Sequence, residues 1–226
     1  MAIRKNNVLG QTSGKLGNTV TRIRNGKEVV YALPDKVKIS NSKHAKSARN
    51  KFALTVGFAK FINSIPALSG IWSYAKIPGT NSFQKLIKHN SKFTNENSLT
   101  VNNIITPSGF DLSIEKFSFA GNILHLLIKP AAAILPVLLS SKVHFHSVLY
   151  SYQPKLKNDK SFMFSHLFGK IESLMPDTAT EVRLSLNLSQ QNLIRNYKQS
   201  IIYFTIVVYP DDAKSPLWSN TAARQL

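Results

Sequence analysis

The stretch Ser13-Gly14-Lys15-Leu16-Gly17-Asn18-Thr19-Val20-Thr21-Arg22-Ile23-Arg24-Asn25-Gly26-Lys27-Glu28-Val29-Val30-Tyr31-Ala32-Leu33 holds the strongest local signal in the chain. Asn25-Gly26 separates two β-prone runs, and both central residues of a type I′ turn need the positive φ that Asn and Gly tolerate best. The stretch therefore predicts a β-hairpin. Pairing outward from the turn sets Arg24 opposite Lys27, Arg22 opposite Val29 and Val20 opposite Tyr31, which gathers Arg22, Arg24 and Lys27 on one face. Like charges directly opposite each other destabilise an isolated hairpin. That cost makes sense if the face meets something anionic, either phosphates or carboxylates of a neighbouring subunit.

Upstream, residues 1 to 18 read as an extended arm leading into the hairpin. Leu9 to Leu16 has the look of a phosphate-binding loop, but the glycine spacing is one residue short and Leu16 stands where a metal-binding Ser or Thr is needed. A strand rather than a helix follows. Gly14 and Gly17, flanking Lys15, are better explained by turns or by close approach of a neighbouring backbone.

The charge is unevenly placed. The 226 residues carry 29 Lys and Arg against 11 Asp and Glu, a net +18. Residues 1 to 100 hold 17 basic and 3 acidic residues, net +14, while residues 101 to 226 hold 12 and 8, net +4. A basic excess of this size favours nucleic acid, anionic lipid or an acidic protein surface, and it bears on association rather than on fold. At 43% apolar residues the chain can still build a sizeable core.

There is no cysteine, so disulfides and Cys-based zinc sites are excluded. The apolar run after Met1 is too short for a signal-peptide core, so the expectation is cytoplasmic synthesis without Sec export. The longest apolar stretch, Pro130 to Leu139, is about half a membrane span and contains two prolines, so no membrane span is expected.

After Pro34, the polar run Asp35 to Ser42 brings Lys36 and Lys38, and Ser40-Asn41-Ser42 offers N-caps for a helix over 43–64 that Pro66 terminates. Helical spacing predicts that Ala45, Ala48, Phe52, Val56, Ala59 and Ile62 face the core, with Lys43, Lys46, Asn50 and Lys51 on the other side. The near-continuous apolar second half should be buried. Ser69-Gly70 and Pro78-Gly79 suggest a linker before a shorter helix over 82–92, with Phe83, Leu86, Ile87 and Asn90 inward and Lys85, Lys88 and Lys92 outward. The polar run Thr94 to Thr100 reads as a domain boundary.

Beyond it, short apolar runs separated by turn signals predict strands over 112–119, 123–129, 143–153, 161–171, 181–188 and 201–209. Alternation is clean in Val143, Phe145, Ser147, Leu149 and in Val182, Leu184, Leu186, Leu188, whereas Ile201 to Tyr209 is apolar on both faces and so central. Asp211-Asp212 is a turn before a last segment around Trp218. The expected fold is α+β and mainly β, in three domains: a basic arm and hairpin (1–34), a basic helical segment (35–100) and an antiparallel, immunoglobulin-like β-sandwich (101–226).

Ser13-Gly14-Lys15-Leu16-Gly17-Asn18, the strand after it, Asn25-Gly26, Val29-Val30-Tyr31 and Pro34 together resemble an uncharacterised family of small basic bacterial and phage-associated proteins. The likeness lies mostly in the first 60 residues or so, and the later half matches in pattern only. Two departures are Tyr31, where that family would usually place an arginine, and Lys43-His44, where it would start the helix with a Thr-Pro pair. The resemblance implies the same succession of hairpin, basic helix and immunoglobulin-like half, and it implies no enzymatic role.

No catalytic constellation stands out. His144 and His146 have a spacing locally similar to cupin metal sites, but Ser147 to Gln153 contains no acid to complete a ligand set. No paired carboxylates and no Gly-x-Ser-x-Gly elbow occur. No catalytic residue, metal or cofactor is therefore expected. Aromatics follow lysines at Lys51-Phe52, Lys60-Phe61, Lys92-Phe93 and Lys116-Phe117, a pattern used for stacking on nucleic-acid bases, yet periodicity assigns nearly all these rings to the core.

Two functional classes follow. The first is a non-enzymatic structural protein of a large repeating assembly, a virion or phage-derived particle, docking through its basic arm onto copies of itself or other structural subunits. The second is a sequence-nonspecific binder of DNA or RNA backbone, with Arg22, Arg24, Lys27, Lys36, Lys38, Lys43, Lys46, Arg49 and Lys51 as phosphate contacts.

Overall fold

A computed structural model describes residues 2–4, 13–33, 39–130, 141–171, 178–210 and 215–226. Most of the arm, Pro34, most of the apolar stretch up to Leu139 and the Asp211-Asp212 turn lie outside them. The chain divides into two compact units, Met1–Ser42 and Lys43–Leu226.

The first unit is a four-stranded antiparallel sheet in the order β1-β4-β3-β2, made of β1 (Ala2–Arg4), β2 (Gly14–Leu16), β3 (Thr19–Arg24) and β4 (Lys27–Ala32). β3 and β4 pair across Asn25-Gly26, with Arg24 opposite Lys27, Arg22 opposite Val29 and Val20 opposite Tyr31. Asn25 (φ 51°) and Gly26 (φ 73°) both occupy the left-handed region.

The second unit has three layers. Helices α1 (Lys43–Asn63), α2 (Pro66–Tyr74) and α3 (Ser82–Asn90) form one. Next comes a five-stranded sheet of β7 (Ser141–Pro154), β8 (Phe162–Ile171), β10 (Tyr197–Pro210), β11 (Leu217–Trp218) and β12 (Ala222–Gln225). The third is a sheet in the order β5-β6-β9, from β5 (Ile114–Ala120), β6 (Ile123–Ile128) and β9 (Thr180–Ser185). A fourth helix, α4 (Leu188–Asn196), connects β9 to β10.

The five-stranded sheet is buried on both faces because two cores meet it. Val143, Phe145 and Leu149 of β7 and Ile202, Phe204 and Ile206 of β10 pack with Leu124 and Leu126 of β6 and Val182 and Leu184 of β9. From the other face, Val148, Tyr150, Ile201, Tyr203 and Val207 pack against Phe58, Ile62, Leu68, Trp72 and Leu86 of the helices. β10 therefore has neighbouring strands on both sides and layers above and below, as its two-faced apolar composition requires.

Four expectations need correction. The helices do not form a domain apart from the strands: Thr94 to Thr100, expected as a boundary, contains Leu99, which is 1% exposed in the helix–sheet core and whose amide donates to Tyr150 Oη. Ser69-Gly70 is not a linker but the middle of α2, since Pro66 that ends α1 also occupies the first turn of the next helix, where its missing N–H costs nothing. Residues 188–196 are helical, started by a capping box between Asn187 and Gln190, where the strand was expected to continue to Leu188. Finally, α1 meets the core along the expected line only in its last two turns, where Ala59 and Ile62 are buried; Leu54, Thr55 and Phe58 are buried beside them, while Ala48 is exposed and Phe52 is 63% exposed.

Among the described residues no single helix is long and apolar enough to cross a membrane, and α1 and α2 bend by 102° at their junction.

Candidate functional site

In the first unit, the register places Lys15 opposite Val20 and so on the face of Arg22, Arg24 and Lys27. All four cations are exposed, and Val20, Val29 and Tyr31 between them are half-buried. The Arg22 guanidinium lies 5.8 Å from the centroid of the Tyr31 ring, a contact that orders a long side chain on an open surface. Glu28, the one acid among residues 13–33, lies on the opposite face with Ile23, Thr21 and Val30. Among the described residues of this unit, the basic face thus carries no acid of its own. Gly14 (φ 135°) and Gly17 (φ 56°) hold the turn geometry that brings Lys15 there, and Thr19 Oγ1 donates to Leu16 O at 2.8 Å to close the β2–β3 turn.

Over residues 13–33 this sheet has almost no core. Among residues 13–33 Glu28 alone is buried, while Leu16 is 82% exposed and Ile23 46%. Folded sheets of this size normally bury one face.

Of the remaining expected contacts, those on α1 belong to the second unit. Lys36 and Lys38 lie outside the described residues. Lys43, Lys46 and Arg49 are exposed on the first half of α1, whereas half-buried Lys51 points to the other side and lines an open groove with His44, Ser47 and the segment Thr94 to Ser98. Of the aromatics that follow lysines, Phe61, Phe93 and Phe117 are half-buried and Phe52 alone is exposed.

Lys85, expected outward, is buried at 8% exposure and its Nζ donates to the carbonyls of Trp72 (3.0 Å), Ser73 (3.1 Å) and Ala75 (2.8 Å). It caps the C-terminus of α2, where the last carbonyls have no helical partner. Its role is structural.

The histidines form a cluster whose third member is invisible to spacing. β7–β8 pairing brings His166 next to His146: His146 Nδ1 and His166 Nε2 are 3.1 Å apart, with ring planes 13° apart and centroids at 5.3 Å. Rings that far apart with nitrogens that close lie edge to edge and share one proton. His146 Nε2 is buried with no hydrogen-bond partner among the described residues. The favourable tautomer therefore has His146 Nδ1–H donating, because the alternative strands an N–H donor in the core. No group of three or more His, Asp or Glu among the described residues is placed to hold a metal ion.

Burial, then the neighbouring His166 and His144, push the His146 pKa down to about 4 from 6.5. The unfolded chain therefore takes up a proton between those values that the folded one refuses, so stability is full above pH 6.5 and falls as pH drops towards 4. The expected loss is about 3 kcal/mol. Urea midpoints at pH 7 and pH 4.5 should show it, and His146→Phe should remove most of the difference; an unchanged pH dependence in that variant would contradict this assignment.

On the outer face of β6 and β9, Arg183 makes a bidentate pair with Glu181 (2.8 and 3.0 Å), with His125 Nδ1 3.6 Å from the same carboxylate. Arg183 and, more weakly, His125 hold the Glu181 pKa below its usual value, so the carboxylate is committed to the pair and is no candidate general base. No protein-family model matches this chain, and no curated protein matches it either.

Proposed function

We propose that the chain is a non-enzymatic structural subunit of a large repeating assembly, and that residues 13–33 are its docking hairpin. The two sheets facing each other across the β6–β9 and β7–β10 core are read as an immunoglobulin-like sandwich that carries this hairpin, and a virion or phage-derived particle is the setting the reading implies. One observation supports the reading above all others: a four-stranded sheet with Glu28 as its one buried residue over 13–33, apolar Leu16 and Ile23 in solvent, and four cations on one face. Residues 13–33 bury too little to balance their own chain entropy, which supports completion of the sheet by another surface. With a net charge of +18 on each chain, that surface is anionic.

Size-exclusion chromatography with light scattering on the native extract tests the proposal. Wild-type chain should elute far above the mass of one chain at low salt, and Arg22→Glu with Arg24→Glu should shift most of it to the monomer position. Monomeric wild-type chain in the extract would overturn the proposal.

The same face favours a second reading, binding of DNA or RNA phosphates. Duplex binding should then fall with salt along a log–log slope of about −3.6 if Lys15, Arg22, Arg24 and Lys27 each neutralise one phosphate. No binding at low salt would remove this reading and leave the first.

A further inference from the structure

α1 carries two apolar stripes, and the core uses one of them. Leu54, Phe58 and Ile62 are buried. Ala45, Ala48, Phe52 and Val56 make a second line at i, i+3, i+7 and i+11, about 16 Å long, with Ala48 and Phe52 exposed and Ala45 and Val56 half-buried. Lys46, Arg49 and Lys60 flank that line on one side, and His44 and Lys51 on the other. No residue of α1 is acidic, and Lys43 and Lys46 sit in the first turn, where the helix dipole disfavours positive charge. Residues 43–53 include none that is buried. On the side of His44 and Lys51 the line borders the groove that contains Glu96, and on the side of Lys46, Arg49 and Lys60 it is flanked by cations. A helix half that buries no residue and sets positive charge along an apolar seam is built to be covered.

We infer that this second stripe is a docking surface for an acidic amphipathic helix of a different protein, its apolar seam on Phe52 and its carboxylates on the flanking cations. Charge complementarity selects this occupant. A second copy would not serve, since none of the four described helices contains Asp or Glu. Single-stranded nucleic acid would use the cations and the Phe52 ring but leave Ala45, Ala48 and Val56 without a role. A helix laid along the seam uses all of them, because small residues let its backbone approach while Phe52 supplies the knob. The surface belongs to Lys43–Leu226 and does not depend on the proposed role of residues 13–33.

Fluorescence anisotropy on the full chain provides the test. The probe is a labelled synthetic peptide of about three heptads with Leu at a and d and Glu at e and g. The comparison probes are the same peptide with Lys for Glu and an oligothymidylate of about 20 nucleotides. The acidic peptide should bind, Phe52→Ser should weaken it at least about tenfold as an aromatic anchor is lost, and Lys46→Glu with Arg49→Glu should abolish it and transfer binding to the lysine peptide. Phe52→Ser should leave the melting temperature unchanged, since the ring is exposed in the free chain. Failure of the acidic peptide to bind, equal binding by Phe52→Ser, or a Phe52 dependence seen with the oligothymidylate and not the peptide would overturn the inference.

Discussion

Gly26→Val should release the chain from the assembly proposed for it, while the unit Lys43–Leu226 melts where the parent does. Gly26 lies at φ 73° beside Asn25 at φ 51°, and a Cβ built on Gly26 meets nothing within 4 Å. The penalty is therefore purely conformational, about 1 to 3 kcal/mol for a β-branched residue held at positive φ. A sheet with so little buried area has no reserve to absorb it. A one-residue slip between β3 and β4 would also send Arg22 and Arg24 to opposite faces from Lys27, dispersing the charge gathered on that face. Arg22→Glu with Arg24→Glu keeps the turn and removes only the ionic contacts, so the two variants separate geometry from charge. Light scattering on the native extract reads the assembly, and thermal melting guards against general unfolding. Normal assembly of the Gly26→Val chain would mean that the turn does not organise docking.

Lys85→Met will lower stability by roughly 3 kcal/mol or more, the largest single effect expected in the second unit. Methionine keeps the apolar stem but leaves the carbonyls of Trp72, Ser73 and Ala75 without the donor that satisfies all three at a buried helix end. The strain would fall on α2, whose Leu68, Ile71 and Trp72 are fully buried in the helix–sheet core. Lys88→Met, on the exposed side of the same helix, should stay within about 0.5 kcal/mol. Urea unfolding midpoints of the two variants measure the contrast, and equal midpoints would show that the buried amine does not hold α2.

The difference between those two lysines shows where sequence reading ends. Both stand in one nine-residue helix, and periodicity puts both outside; a cap on a neighbouring helix thirteen residues away leaves no local trace. α1 presents the same difficulty in another form. Its two stripes have equally good helical spacing, and the choice of Leu54–Phe58–Ile62 over Ala45–Ala48–Phe52 depends on which shape fills the space over Tyr203 and Phe164. Alternation in β7 and β9 and the two-faced β10 were legible because a period of two needs no partner to be recognised. Asn187 and Gln190 also carried a capping signal, but it sat at the end of a strand-like run that overshadowed it. His166 joined His146 only through the register of β7 and β8, which spacing along one strand cannot reveal. On the basic face, the turn residues were sufficient to place Arg22 with Lys27, while Lys15 needed the β2–β3 register.

Limited trypsin digestion tests the docking of residues 13–33 most directly, because Lys15, Arg22, Arg24 and Lys27 are themselves the cleavage sites and all four are exposed in the isolated chain. In purified protein they should be cut quickly while Lys43–Leu226 persists. In the native extract at low salt the same bonds should be protected, and salt should restore cleavage as the ionic contacts are screened. Cleavage at the same rate in extract and in purified protein would contradict a docked hairpin.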